Sequence, residues 1–165
     1  MPWLAIGAMF VYYSVGNVVE PDQSRMTQSV SIENAEALTG IFGYWPSFHD
    51  AEVLSMHLDR GGPDGPLLDA RVHVFHMTRE IDNRGFFVLT NHTLVTLRFV
   101  NILLRELRWF NAQNALNGIH IDNVDPAANE GRVVSVAFDG AHGVDADFVC
   151  DRVFVRAVEP FAPAV

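Results

Sequence analysis

The chain has 165 residues, 49% of them hydrophobic, enough for one well-buried domain and too few for two comfortable ones. Its formal net charge of −9 argues against nucleic acid as a partner, because phosphate binding needs clustered cations. All 11 basic residues are arginine, a compositional bias without mechanistic meaning. The single cysteine, Cys150, excludes an internal disulfide framework and fits a reducing compartment.

Met1 to Val19 carries no charge and is strongly apolar, with a length just sufficient to span a membrane. It lacks a basic segment ahead of the apolar run and a small-residue cleavage site near Glu20-Pro21. Met26-Thr-Gln-Ser-Val then opens like an ordinary cytosolic start. Residues 1–25 therefore read as an upstream extension outside the fold, ahead of a single domain over 26–165. A membrane anchor and an extra packed segment stay open as alternatives.

Ser31 is placed to cap a short helix in which Ile32, Ala35, Leu38, Ile41 and Phe42 recur at helical spacing, ended by Gly40 and Gly43. The stretch Phe42-Gly-Tyr-Trp-Pro-Ser-Phe-His-Asp-Ala-Glu-Val53 follows, and it reads as the hub of the core. Tyr44, Trp45 and Phe48 are candidates for burial, each contributing about 2–3 kcal/mol. Ser47 and Asp50 have the spacing of a capping box, so that Trp45, Phe48, His49 and Asp50 form a structural hub.

Leu54, Met56 and Leu58 alternate with Ser55, His57 and Asp59, the pattern of a half-buried strand. Arg60 to Pro66 is a loop by its glycine and proline content. Leu68 to Thr78 and Phe87 to Phe99 are long β-like runs, and Asp82-Asn-Arg-Gly85 makes them an antiparallel hairpin. Ile102 to Arg108 fits a helix turn and an irregular strand equally well. Leu116 to Val124 reads as a strand and Asp125 to Gly131 as a loop.

In the last hairpin Val134, Val136 and Phe138 share one face, and Asp139 to Gly143 turns the chain. Phe148 and Cys150 then share one parity while Val153 and Val155 share the other. A strand does not switch faces without an extra residue, so a bulge is expected near Asp151-Arg152. Pro160 and Pro163 end the pairing. The fold class is α+β, mostly β: a curved antiparallel sheet with one short N-terminal helix, packed around the aromatic hub.

Few residues suggest chemistry. His49-Asp50 invites a metal-dependent hydrolase, but the chain lacks the helical scaffold that brings further ligands together; the plainer reading has Asp50 capping a turn and His49 bonding a backbone carbonyl. His73 and His76, three apart on a strand, point to opposite faces and share no metal readily. Cys150 has Asp147 and Asp151 as neighbours, which raise a thiol pKa, so it reads as a small core residue. Phe110-Asn-Ala-Gln-Asn114 is the most unusual polar cluster. Asn111, Gln113 and Asn114 read either as a turn whose amides satisfy loop backbone or as a polar recognition patch.

The run Phe42 to Val53, the segment Phe110 to Asn114, and the ending Gly143-Val-Asp-Ala-Asp-Phe-Val-Cys150 through Pro160 resemble, in this order, the signatures of the immunity protein 50 family. These are bacterial proteins encoded beside polymorphic toxins. The resemblance covers about Ser31 to Pro160 and implies a cytoplasmic protein that binds and occludes a cognate toxin. It implies no enzyme activity, no cofactor and no catalytic residue, and in the favoured reading no membrane or nucleic-acid partner. The acidic balance agrees with a basic nuclease as the toxin. Asp145 and Asp147, pointing away from the Phe148 and Cys150 face, are the first partner-binding candidates, with Asn111, Gln113 and Asn114 next. Two other readings stay open: a small-molecule pocket lined by Trp45, Trp109 and Phe110, and a hydrolase using His49 and Asp50.

Overall fold

The computed structural model describes residues 30–162. The expectations for Met1 to Arg25, for the Met26 start and for Pro163 lie outside the described residues. Strand β1 (Ile32–Glu33) leads into helix α1 (Glu36–Phe42), and strands β2 (Glu52–Asp59), β3 (Leu67–Ile81), β4 (Phe87–Val100) and β5 (Leu103–Arg108) follow. Strands β6 (Leu116–Asn123), β7 (Val134–Gly140), β8 (Asp145–Cys150) and β9 (Arg152–Pro160) complete the order, with a 3-10 turn at Pro126–Ala128.

The strands form two sheets. A larger one has the order β1-β9-β4-β3-β2 and a smaller one β5-β8-β7-β6. Every pairing is antiparallel except the short parallel contact of β1 with β9. The mostly β class with one short helix is as the sequence predicts. The sheets face one another across a single apolar core, whose centre is an aromatic trio. Phe99 on β4 meets Phe148 on β8 edge to face at 4.9 Å and Phe138 on β7 at 5.9 Å. All three rings are fully buried. Such edge-to-face contacts add about 1 kcal/mol each to the burial of the rings themselves.

The core is therefore centred on β-strand phenylalanines and not on the aromatic stretch after the helix. Of that stretch Phe48 is buried and Trp45 half-buried, whereas Tyr44 is exposed. The capping box expected of Ser47 and Asp50 does not form. Phe48 and Asp50 have φ of 62° and 61°, which no helix accepts, and the chain runs straight into β2. Ser47 Oγ instead accepts the His49 N–H at 3.4 Å. The loop still organises the fold, through its backbone. Asp50 N–H donates to Leu116 O, Leu116 N–H to Ala51 O and Ile119 N–H to Ser47 O, so the loop covers the free edge of β6.

Other expectations change in detail. Ser31 does not cap the helix: Asn34 has φ of 57° and separates β1 from α1, whose N-cap residue, Ala35, makes no side-chain cap. Gly40 lies inside the helix and Gly43, at φ 78°, ends it with its N–H on Thr39 O. Ile41 is exposed while Leu38 and Phe42 are buried. In β2 the extra residue is Leu54, between Val53 and Ser55, so Val53 and Met56 reach the core and Leu54 is left exposed. Ile102 to Arg108 resolves as strand β5.

The parity change after Cys150 is a change of sheet. The bulge expected near Asp151-Arg152 does not form; β8 ends in the small sheet, Asp151 turns, and β9 continues in the large one. Two sheets facing each other present opposite inward parities to a chain that crosses between them, so both runs of apolar residues are buried.

Candidate functional site

The outward face of the small sheet carries the first partner-binding candidates. Ala146, Phe148, Phe138, Val136 and Ile119 face the core, so their alternates face out. On that side Asp145 and Asp147 of β8 pair with Arg108 and Glu106 of β5, Asp147 also pairs with Ala137 of β7, and Ala137 pairs with His120 of β6. Asp122 and Asp139 lie on the same face by register. Five carboxylates, from Glu106, Asp122, Asp139, Asp145 and Asp147, thus share a surface with two arginines.

Those arginines are placed to moderate the charge. Arg105 lies 3.5 Å from Asp147 and Arg108 3.9 Å from Asp145, with Arg108 also 2.8 Å from Glu106. The side chains of Asp145 and Asp147 remain 38% and 43% exposed, so these pairs are open to solvent and to a partner. Such exposed pairs contribute little to stability, about 0–1 kcal/mol.

The Trp109–Asn114 turn adjoins this face. Trp109 has φ of 58° and is 65% exposed, and the Arg108 guanidinium lies 4.6 Å from its ring centre. Phe110 is exposed beside it. The amides behind them hold the turn. Asn111 Oδ1 accepts the Gln113 N–H and Asn111 Nδ2 donates to Trp109 O, both at 2.9 Å. Asn114 is buried and makes four bonds. Its Oδ1 accepts from Asn111 N–H at 2.9 Å and Val144 N–H at 3.1 Å, and its Nδ2 donates to Asn111 O at 2.7 Å and Val53 O at 3.3 Å. Asn114 is thus a brace between β2 and the start of β8, while Asn111 and Gln113 lie at the surface. The sequence marks these residues as unusual; it does not separate the brace from the surface pair.

The other candidate groups are not assembled into a reaction centre. His49 Nδ1 and an Asp50 carboxylate oxygen are 2.9 Å apart, both exposed, so His49 takes a carboxylate and not the backbone carbonyl expected. Among the described residues no three His, Cys, Asp or Glu side chains are close enough to hold a metal ion. His73 Nε2 and His92 Nδ1 share a hydrogen at 3.0 Å, and His76 Nδ1 lies 3.2 Å from the Tyr44 hydroxyl. The strand periodicity gives no sign of His92 as the partner of His73. Burial and the neighbouring His92 hold the His73 pKa below its ordinary value. Cys150 is fully buried, and burial with the nearby Asp151 carboxylate pushes its thiol up to about 12. A thiol so protonated is no nucleophile.

Trp45, Trp109 and Phe110 do not converge on one pocket. Trp45 lines an apolar groove of about 520 Å³ with Val30, Ile32, Ala35, Ile119 and Ile121, and the other two rings are elsewhere. No helix among the described residues is long and apolar enough to cross a membrane.

A family model described as Immunity protein 50 matches residues 34–161, which contain every strand after β1, the helix and both candidate partner segments. The chain belongs to the immunity protein 50 family. Membership makes it an immunity protein, one that neutralises a toxin and performs no catalysis of its own. No curated protein and no solved structure matches the chain. For this immunity protein the relevant geometry is accordingly a surface and not a reaction centre.

Proposed function

We propose that this immunity protein occludes a toxin with a cationic surface, meeting it in the cytoplasm through the outward face of the small sheet. A nuclease, which needs positive charge to hold its own substrate, is the toxin class that suits such a face. One observation carries the reading: Asp145 and Asp147 lie with Glu106, Asp122 and Asp139 on one exposed face spanning all four strands. Trp109 and Phe110 at its margin supply the large side chains that anchor protein interfaces. Asn111 and Gln113 offer amides beside them, and Asn114 acts by fixing the turn that presents them.

Charges at such a surface act mainly on the rate of encounter, and salt screens them over a Debye length of about 10 Å at 0.1 M. The test is the binding kinetics of Asp145→Asn/Asp147→Asn with the toxin encoded beside this chain's gene, at two ionic strengths. The double variant should associate several-fold more slowly at low salt and approach the wild-type rate at high salt. An association rate equal to wild type at low salt would move the interface off this face.

A further inference from the structure

The outward face of the large sheet carries arginines and carboxylates together, and it holds a groove. Four neighbouring strands line it: Ser55 and His57 from β2, Asp69 and Arg71 from β3, Thr96 from β4, and Arg156, Ala157 and Glu159 from β9, around a volume of about 430 Å³. The register stacks these residues in rows. Ser55 pairs with Arg71 and Arg71 with Thr96, while His57 pairs with Asp69 and Asp69 with Arg98.

Asp69 is the floor of the groove, its side chain only 8% exposed. Both of its oxygens are already engaged. Oδ1 accepts from Arg98 Nε at 2.6 Å, and Oδ2 accepts from Arg98 Nη2 at 2.5 Å and Arg156 Nη1 at 2.6 Å. Two guanidinium groups on one carboxylate leave a net positive charge over a buried Asp69, with the Arg156 side chain half exposed. Arg156 keeps Nε and Nη2 unengaged among the described residues. Arg71, two residues along β3 on the same face, makes no hydrogen bond or ion pair with any described residue. An unpaired fork beside an over-neutralised carboxylate, flanked by Ser55 on one side and Thr96 on the other, is an arrangement complementary to an oxyanion.

We propose that this groove binds a carboxylate, held by the Arg71 guanidinium and the free N–H groups of Arg156 with Ser55 and Thr96 as neutral donors. Glu159 at the rim sets the class. It opposes a second negative charge, so a singly charged carboxylate fits where a phosphate dianion meets repulsion. The same chemistry has two sources, a free small acid or an acidic side chain of a protein partner. The groove lies on the sheet opposite the acidic face, so its occupancy does not depend on the cationic-toxin reading.

The probe is acetate, titrated into the full chain while the backbone amides of Arg71, Thr96 and Ala157 are followed by NMR, with sodium chloride at matched ionic strength as reference. Saturable shifts at these amides in acetate, absent in chloride, are expected. In Arg71→Gln the acetate affinity should fall at least tenfold, and in Arg60→Gln, which alters a loop arginine outside the groove, it should be unchanged. Equal responses to acetate and chloride, or an undiminished response in Arg71→Gln, would overturn the proposal. Toxin binding by Arg71→Gln then identifies the source: weakened binding assigns the carboxylate to a toxin side chain, and unchanged binding assigns it to a free acid. Replacing acetate by inorganic phosphate tests the class, and tighter binding of phosphate would overturn the role given to Glu159.

Discussion

Asn101 Nδ2 donates to an Asp151 carboxylate oxygen at 2.7 Å, joining the two places where the chain leaves one sheet for the other. Asn101 stands between β4 and β5, and Asp151 between β8 and β9. Asp151 N–H also donates to Val100 O at 3.0 Å, and Arg132 Nε to Asn101 O at 2.8 Å. The two crossings are thus tied side by side. Asn101 has φ of 53°, a region asparagine tolerates and alanine resists. Asn101→Ala should cost about 2–3 kcal/mol, from a lost charge-assisted bond and the backbone strain together. Asn101→Gly loses the bond and keeps the conformation, so it should cost less. Chemical denaturation of the two variants separates the terms.

Asn114 gives a second, sharper case. Replacing it with alanine leaves the buried Val144 N–H without an acceptor and frees the turn at Asn111. A loss of at least about 2 kcal/mol is expected, since an unsatisfied buried group costs about 1–3 kcal/mol by itself. Asn114→Asp retains the acceptor and loses the donation to Val53 O and Asn111 O. Denaturant midpoints of both variants, with toxin affinity measured alongside, tell a bracing residue from a contact residue.

The aromatic stretch should rank by burial. Phe48→Ala removes a fully buried ring and should cost about 3–5 kcal/mol. Trp45, half-buried and edge-on to Phe48 at 5.7 Å, should cost less, about 1–3 kcal/mol. Equilibrium unfolding in urea gives both values. A larger loss at Trp45 would mean that its groove is filled in solution.

Stability should fall in two acid steps. His73 has a folded pKa below its ordinary 6.5, so the unfolded chain binds a proton that the folded chain does not. Its contribution is complete above about pH 6.5 and is lost as pH falls through the folded value. At Asp69 burial works to raise the pKa, but Arg98 and Arg156 outweigh it and leave it lowered from 3.8. That contribution is present above about pH 3.8 and is lost as pH falls further. Thermal midpoints between pH 8 and about 2 should show both declines. Substituting Gln for His73 should remove the upper step and leave the lower.

A chain starting at Met26 should unfold cooperatively, with the thermal midpoint of the full chain. The family match begins at residue 34, well after that methionine, and every core residue named above follows it. A calorimetric scan of both chains decides it; a loss of cooperativity in the shorter one would place part of the first 25 residues in the fold.

Most of the strands were legible because alternation needs only local chemistry. Val134, Val136 and Phe138 declare one buried face, and the structure buries all three. Long-range choices were not legible in the same way. The parity switch between Cys150 and Val153 is written in the chain, yet one sheet with a bulge and two sheets with a crossing satisfy it equally. The capping-box spacing of Ser47 and Asp50 was misleading because φ at Phe48 and Asp50 is set by bonds to β6, about 70 residues away. At the candidate sites the sequence marked Asp145 and Asp147 by parity. It gave no hint of Arg105 and Arg108 beside them, which only strand pairing reveals.

Strand β9 lies between β1 and β4, so the last strand among the described residues takes an interior place in the larger sheet. Until residues 152–160 have left the ribosome, β1 has no partner and β4 has one open edge. The larger sheet therefore closes only after translation has passed residue 160, through contacts about 52 to 121 residues apart along the chain. Such distant pairings form slowly. A nascent chain interrupted before β9 has neither its complete fold nor the Val153 and Val155 layer of its core. In an immunity protein built this way the small sheet, β5 to β8, is synthesised whole before the strand that completes the larger sheet it packs on.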